Sequence, residues 1–138
     1  MAAVEIAEVA SSSQLKKFIT YPNQLYKGDP NYVTPLISER LEFFDKQKNP
    51  FFQTATTKEY LARRDGKIVG RIGTCVNYAH NQNYLEKVGF FGFLDLIDDY
   101  DVLAMMMRVA MINLKKAGME KLRGPVSYST NHECGALI

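Results

Sequence analysis

Three carboxylates crowd one corner of this sequence. In VGFFGFLDLIDDYDVLAMMM, residues 88–107, Asp98, Asp99 and Asp101 stand where an aromatic strand runs straight into a helix. The first turn of a helix carries unpaired N–H groups and a partial positive charge, so it draws anions, whether a ligand phosphate or a side-chain carboxylate. Acids already at that place repel a pyrophosphate by several kcal/mol in a site of intermediate dielectric. The expectation is therefore that Asp98 or Asp99 caps the helix and Asp101 complements its dipole, with no phosphate held there. Asp95, upstream in the strand, alternates onto one face with Phe91 and Phe93 near the strand's C-terminal end. It is either a solvated strand residue or a carboxylate placed to accept a proton.

A second group of chemistry-bearing types lies in STNHECGALI, residues 129–138. Ser129, Thr130 and Asn131 are all good N-cap residues for a helix starting there. His132, Glu133 and Cys134 are neighbours in sequence, and neighbours on a helix point apart, so a Cys-His catalytic pair is not expected. His80 has no His or Cys at ligand spacing and is expected as a polar loop residue, with no metal site. Cys75 and Cys134 are the two cysteines, far apart and in no CxxC, and are expected as free thiols.

These groups need elements to place them. VEIAEVA alternates as a first strand, and SSSQLKKFIT offers a capping box, Ser11 with Gln14, opening a helix whose Leu15, Phe18 and Ile19 share a face. Pro22 is expected to break or restart that helix, with a short turn from Asn23 to Lys27 stopping at Gly28. Thr34 is expected to cap the next helix, with Pro35 in its first position and Ile37, Leu41 and Phe44 as one buried stripe. Asp65-Gly66 between two runs of strand formers predicts a tight hairpin, with Ile68, Gly70, Ile72, Thr74 and Val76 on one face and Arg63, Arg64 and Arg71 on solvated faces. NYAHNQNYLEK is a polar segment before the aromatic strand. Leu103, Met106, Met107, Ala110, Met111, Leu114 and Ala117 then repeat at three and four through a long helix closed by Lys115, Lys116 and Gly118, and EKLRGPV adds a short strand.

That order resembles the GCN5-related N-acetyltransferase superfamily, and YLARRDGKIVGRIGTCVNYAHN, GFFGFLDLIDDYDV and GMEKLRGPVSYSTNHECG resemble a bacterial acetyltransferase-like group within it. The resemblance implies an α/β (α+β) fold, a mixed, mostly antiparallel sheet flanked by helices, with residues 1–138 as a single domain lacking the superfamily's final helix and closing strands. It implies an acyl-CoA-dependent N-acyltransferase: an amine attacks the thioester of acetyl-CoA or another acyl-CoA, a base takes its proton, a backbone N–H of the fourth strand steadies the oxyanion and an acid protonates the thiolate. Carried over residue by residue, Asp95 would be the base, the strand backbone at Leu94 and Leu96 would meet the cofactor, and Asn131, three residues before the small Cys134, would hydrogen-bond the cofactor arm. The superfamily's thiolate-protonating Tyr would lie past Ile138, and Tyr128 is on the strand side of Asn131. LIDDYDV departs from the glycine-containing pyrophosphate loop of the superfamily. The resemblance thus implies a chain that is inactive and binds acetyl-CoA weakly by itself. Its rival is a shell of the same fold that has lost catalysis and serves as a binding or dimerisation module. The methionines Met105 to Met107 and Met111 are expected as soft core packing first and as a surface for a partner helix second.

The bulk figures narrow the partners. At 138 residues the chain suits one domain that buries roughly 70% of its unfolded surface. A formal net charge of +2 with scattered Lys and Arg gives nucleic acid and membrane surfaces little to bind. No apolar run reaches the ~18 residues of a membrane span and no basic region precedes an apolar leader, so a cytoplasmic protein is expected. The expected partners are a small-molecule or peptide amine and, where a sheet edge stays open, a second copy of the chain.

Overall fold

A computed structural model describes residues 2–135. They form β1 (Glu5–Glu8), α1 (Ser12–Leu25), α2 (Ile37–Phe43), a 3-10 turn (Pro50–Gln53), β2 (Ala55–Arg64), β3 (Lys67–Asn77), α3 (Tyr78–Tyr84), β4 (Val88–Leu96), α4 (Tyr100–Lys116) and β5 (Lys121–Arg123). The strands make one sheet in the order β1-β2-β3-β4-β5, antiparallel except for β5, which runs parallel to β4. This is the mixed, mostly antiparallel α/β architecture expected. The hairpin turn between β2 and β3 has Asp65 and Gly66 both at positive φ, 51° and 74°, the twist that a two-residue connection demands.

Each face of the sheet carries its own core. On one, Val102, Met106 and Ala110 of α4 pack on Tyr60, Ala62 and Ile72. On the other, Phe18 and Ile19 of α1 and Phe44 after α2 pack on Leu61, Cys75, Phe90 and Phe93. Each fully buried side chain of this size contributes roughly 1.5–3 kcal/mol of transfer free energy. The capping box forms: Ser11 Oγ accepts from the Gln14 N–H at 3.2 Å, and Gln14 Oε1 turns back to accept from the Ala10 N–H at 2.7 Å. At the other end of the molecule α4 stops where Gly118 N–H meets the Lys115 carbonyl and Met119 N–H the Leu114 carbonyl, both at 3.0 Å.

The structure corrects the sequence reading in six places. Pro22 does not break α1, which runs through it to Leu25; the proline removes one N–H, and the carbonyl left over, that of Phe18, is taken by an arginine from the sheet. Thr34 caps nothing: α2 begins at Ile37 with no side-chain cap, and of its stripe only Phe44 is buried, Ile37 and Leu41 being 37% and 41% exposed. The polar segment at 78–84 is helix α3, capped by Asn77 Oδ1 accepting from the His80 N–H. Two bulges switch faces that simple alternation would have kept. One, between Ala62/Gly70 and Arg63/Ile68, turns Ile68 toward the α1 side, away from Ile72. The other lies in β4, where Gly73 pairs with Gly92 but Arg71 pairs with Asp95. There Phe93 sits at φ 47°, so Phe91 packs on the α4 side while Phe93 and Asp95 face α1. Finally, no helix begins at Asn131 among the described residues. Residues 126–134 form a tight reversal, with Val126 bridged to Cys134 and the Ser127 N–H donating to the Glu133 carbonyl at 2.8 Å; residues 136–138 lie outside the described part.

Gly92, at the edge of the second bulge, lies directly against the segment that follows β5. A Cβ built there overlaps the Val126 carbonyl, which belongs to backbone and cannot swing aside. Gly92→Ala should lower the stability by about 1–3 kcal/mol or more, measured by urea unfolding.

Candidate active site

The α1-facing side of β3 and β4 holds a buried ion pair. Arg71, with its side chain only 11% accessible, donates from Nε to Asp95 Oδ2 at 2.9 Å, and its Nη2 stands 2.8 Å from the same oxygen as an ion pair. Its third nitrogen, Nη1, donates to the Phe18 carbonyl at 2.9 Å, the acceptor that Pro22 left unused inside α1. The guanidinium lies over the Phe18 ring, 5.0 Å from its centroid, and 5.5 Å from that of Phe93. Asp95 Oδ1 accepts from the Tyr26 hydroxyl at 2.7 Å. Burial presses the Arg71 pKa below its usual value, against the pull of Asp95. Burial first, then the hydrogen bond to Asp95, raises that of Tyr26. Both oxygens of Asp95 are thus engaged, and accepting a proton there means exchanging one of these partners. Close by, burial raises Tyr21 to about 12, and its hydroxyl has no partner among the described residues.

A second buried pair closes the other end of the same face. Tyr128, fully buried and at φ 96°, donates its hydroxyl to Glu59 Oε2 at 2.6 Å, and Lys46 Nζ stands 3.9 Å from Glu59 Oε1. Its ring meets Phe93, Phe44 and Phe43 at centroid distances of 4.9, 6.1 and 6.2 Å. Burial raises the pKa of Tyr128 well above that of a free phenol and lifts Cys75 to about 12, which keeps that thiol protonated.

Between these pairs β4 loses its neighbour. The ladder with β5 covers only Val88 to Phe90. Beyond it the Val126 N–H donates to the Phe91 carbonyl at 2.8 Å and Ser127 Oγ accepts from the Phe93 N–H at 3.2 Å. Among the described residues no bond from the segment after β5 reaches Leu94 to Leu96. Asn131 lies on the exposed reversal, its N–H donating to Ser129 Oγ at 3.2 Å. His132 Nδ1 is 2.8 Å from Ser129 Oγ, and its ring packs edge-on against Phe43. His80 belongs to α3 and pairs with Glu86 at 3.0 Å.

The acidic corner is a cap. Asp99 Oδ1 accepts from the N–H groups of Asp101 and Val102 at 2.9 and 3.3 Å, and its Oδ2 accepts from Arg64 Nη1 at 2.7 Å. The hydrogen bond from Arg64 and those backbone donors hold its carboxyl below the usual range. The donors a phosphate would need are taken by the chain itself.

The backbone path that sets out this geometry recurs in solved proteins. A tandem GNAT protein from the clavulanic acid biosynthesis pathway superposes with a TM-score of 0.67 over 87% of this chain and 35% of that one, at 10% identity. The fold is that of the GCN5-related N-acetyltransferases. An aminoglycoside acetyltransferase from an uncultured soil metagenomic sample, in complex with sisomicin, gives 0.62 over 90% of this chain and 78% of its own, at 14% identity. No family model matches the sequence. Among curated relatives, Protein YghO of Escherichia coli (strain K12) is 38% identical over 128 residues, 93% of this chain and 33% of that protein. The bacterial ceramide synthase of Caulobacter vibrioides is 34% identical over 138 residues, 99% of this chain and 36% of that protein. The chain spans about a third of the length of these curated relatives. Within the acetyltransferase fold, sequence reasoning named Asp95, Leu94, Leu96 and Asn131 but missed Arg71, Tyr26, Glu59 and Tyr128. Arg71 and Arg64, expected on solvated faces, are both committed to carboxylates. The one sequence signal for Arg71 is Pro22, whose missing N–H leaves a helix carbonyl in need of a donor.

Two outcomes follow from this electrostatics. Arg71→Met leaves Asp95 buried without its cation and frees the Phe18 carbonyl, and should cost about 3–5 kcal/mol by chemical denaturation. Asp99 has a folded pKa below its unfolded value near 3.8, so its contribution is present above that pH and lost as pH falls through the folded value. Asp99→Asn should therefore lower the thermal midpoint at pH 7 by a few degrees and shrink that difference below about pH 4 in a melting series.

Proposed function

We propose that this chain forms part of an acyl-CoA-dependent N-acyltransferase. The observation that carries the reading is the stretch Leu94 to Leu96, left without a partner on the β5 side beside the carboxylate of Asp95. An extended backbone edge suits an arm bearing amide groups, because its free N–H and C=O groups pair with amides as a neighbouring strand would. The corner at Asp99 does not suit a pyrophosphate, so the phosphates of the thioester would be held by other residues. When bound, acyl-CoA supplies an activated acyl group. The backbone at Leu94 and Leu96 orients it; the amine nitrogen forms the new C–N bond as the C–S bond breaks. The nitrogen's proton goes to Asp95, which releases the Tyr26 hydroxyl to receive it, and a proton from solvent completes the thiol. Arg71 and Tyr26 keep the carboxylate aimed before the reaction.

The relative named as a bacterial ceramide synthase supports one acceptor class, since a ceramide is the amide of a long-chain amino alcohol. A long-chain amine is accordingly the first acceptor to try. The occupied helix end at Asp99 favours a second reading, a shell of this fold that binds without catalysing.

Thermal melting with acetyl-CoA and palmitoyl-CoA, paired with thiol release on adding sphinganine, separates the two. A thioester at a hundred times its dissociation constant stabilises by about 2.7 kcal/mol, a shift of several degrees for a domain of this size. The expected outcome for a form as long as the relatives is a shift with release, with Asp95→Asn keeping the shift and losing the release. The 138-residue chain is expected to show a smaller shift. No shift in either form at millimolar thioester would leave only the non-catalytic reading.

A further inference from the structure

The outer face of α4 exposes apolar side chains around Arg108 in its middle and carries further charges at its ends. Met111 and Ile112 are 57% and 49% exposed. With Ala104, Met107 and Leu122 they line a groove of about 880 Å³ between α4 and the start of β5. Exposed acids, Asp98 and Asp101, stand at the N-terminal end of this face. An exposed base, Lys115, stands at its C-terminal end, with Lys121 on β5 and Glu120, which pairs with Lys87 at 3.7 Å, lining the same groove. Asp98, Asp101, Arg108, Lys115 and Lys121 take part in no ion pair among the described residues. A helix that merely faced water would keep its methionines inward.

We propose that two copies of this chain pair through this face, each α4 lying antiparallel to the other and seated in the groove of the second copy. The argument is charge complementarity of the face with itself. Asp101 and Lys115 are about four turns apart, some ~21 Å of helix, with Arg108 midway. A two-fold axis passing at Arg108 sets Asp101 of each copy opposite Lys115 of the other, twice over, while Ala104 faces Met111 and Ile112. The small Ala104 leaves room for the longer side chains, as small positions do where helices approach. Antiparallel pairing also places the positive end of each helix dipole beside the negative end of its neighbour. Arg108 meets its own copy at the axis. Its long stem can cover methionine surface while the guanidinium turns out to water, which keeps that repulsion small. A uniformly basic or acidic face would have pointed to a partner of opposite charge; this one has an unpaired acid at one end and an unpaired base at the other, so an antiparallel copy brings unlike ends together.

Sedimentation velocity on the 138-residue chain between about 1 and 500 µM tests the pairing, with a micromolar dimer expected for a face of this modest size. Lys115→Asp and Asp101→Lys should each weaken the dimer at least about tenfold, and the double variant should return to within about threefold of the original, because the swap restores both contacts. Met111→Asp should leave monomer throughout, and circular dichroism should show all variants folded, since each site is exposed. A monomer at about 500 µM, a dimer indifferent to both single swaps, or a double variant no tighter than the singles would overturn the proposal.

Discussion

The guanidinium of Arg71 is the point through which α1, β3 and β4 are joined. It reaches the Phe18 carbonyl on the helix and the Asp95 carboxylate on the next strand while lying over the Phe18 ring. An arginine so deeply buried is stable only because each nitrogen has an acceptor and a carboxylate balances its charge. That requirement propagates outward. The helix must offer an unused carbonyl, which Pro22 provides. The strand must present Asp95 toward the helix, which the bulge at Phe93 provides. The proline inside the helix and the positive φ of Phe93 are each costly alone, and together they complete one buried polar network.

Phe93 is held in that backbone conformation by the aromatic side chains around it. Phe18, Phe43, Phe44 and Tyr128 enclose its ring with centroids 4.9 to 6.2 Å away. Tyr128 in turn reaches Glu59 across the same face. Polar and aromatic groups are thus interleaved on the α1 side of the sheet, while the α4 side is mostly aliphatic residues and methionine, with Tyr60 and Phe91 among them. The asymmetry gathers Arg71, Asp95, Tyr26, Glu59 and Tyr128 on the α1 face, next to the part of β4 that has no strand beside it.

The fold family carries the acyltransferase reading only so far, because one scaffold hosts many chemistries and the site must supply the argument. Here the site divides in two. The edge at Leu94 to Leu96 with Asp95 is in keeping with amide recognition and proton transfer. The helix end at Asp99 is closed by its own side chain, which gives stability to α4 in place of a phosphate contact. Such a division is physically coherent if the two ends of a ligand are held by different parts of a longer protein, as the threefold greater length of the relatives allows.

Local signals in the sequence determined the elements and several of their ends. The Ser11 capping box, the Asp65-Gly66 turn, strand 88–96, the acid-capped long helix and its Gly118 stop each depend on residues within a few positions of one another, so they are legible in one dimension. Tertiary structure decided what depends on register and on distant partners. Alternation puts Asp95 with Phe91, but a bulge inserts one residue and reverses the face, and nothing within the strand announces it. Arg71 reads as a solvated hairpin residue because its acceptors lie on a helix more than fifty positions earlier and on the next strand. Pro22 reads as a helix breaker because its compensation comes from that same arginine. Asn131 reads as a helix cap because the types in STNHE permit it, whereas the pairing of residues 126 and 134 bends the chain into a reversal. Short-range chemistry is written in neighbouring letters; the polar network that organises the site exists only once three separate elements have packed.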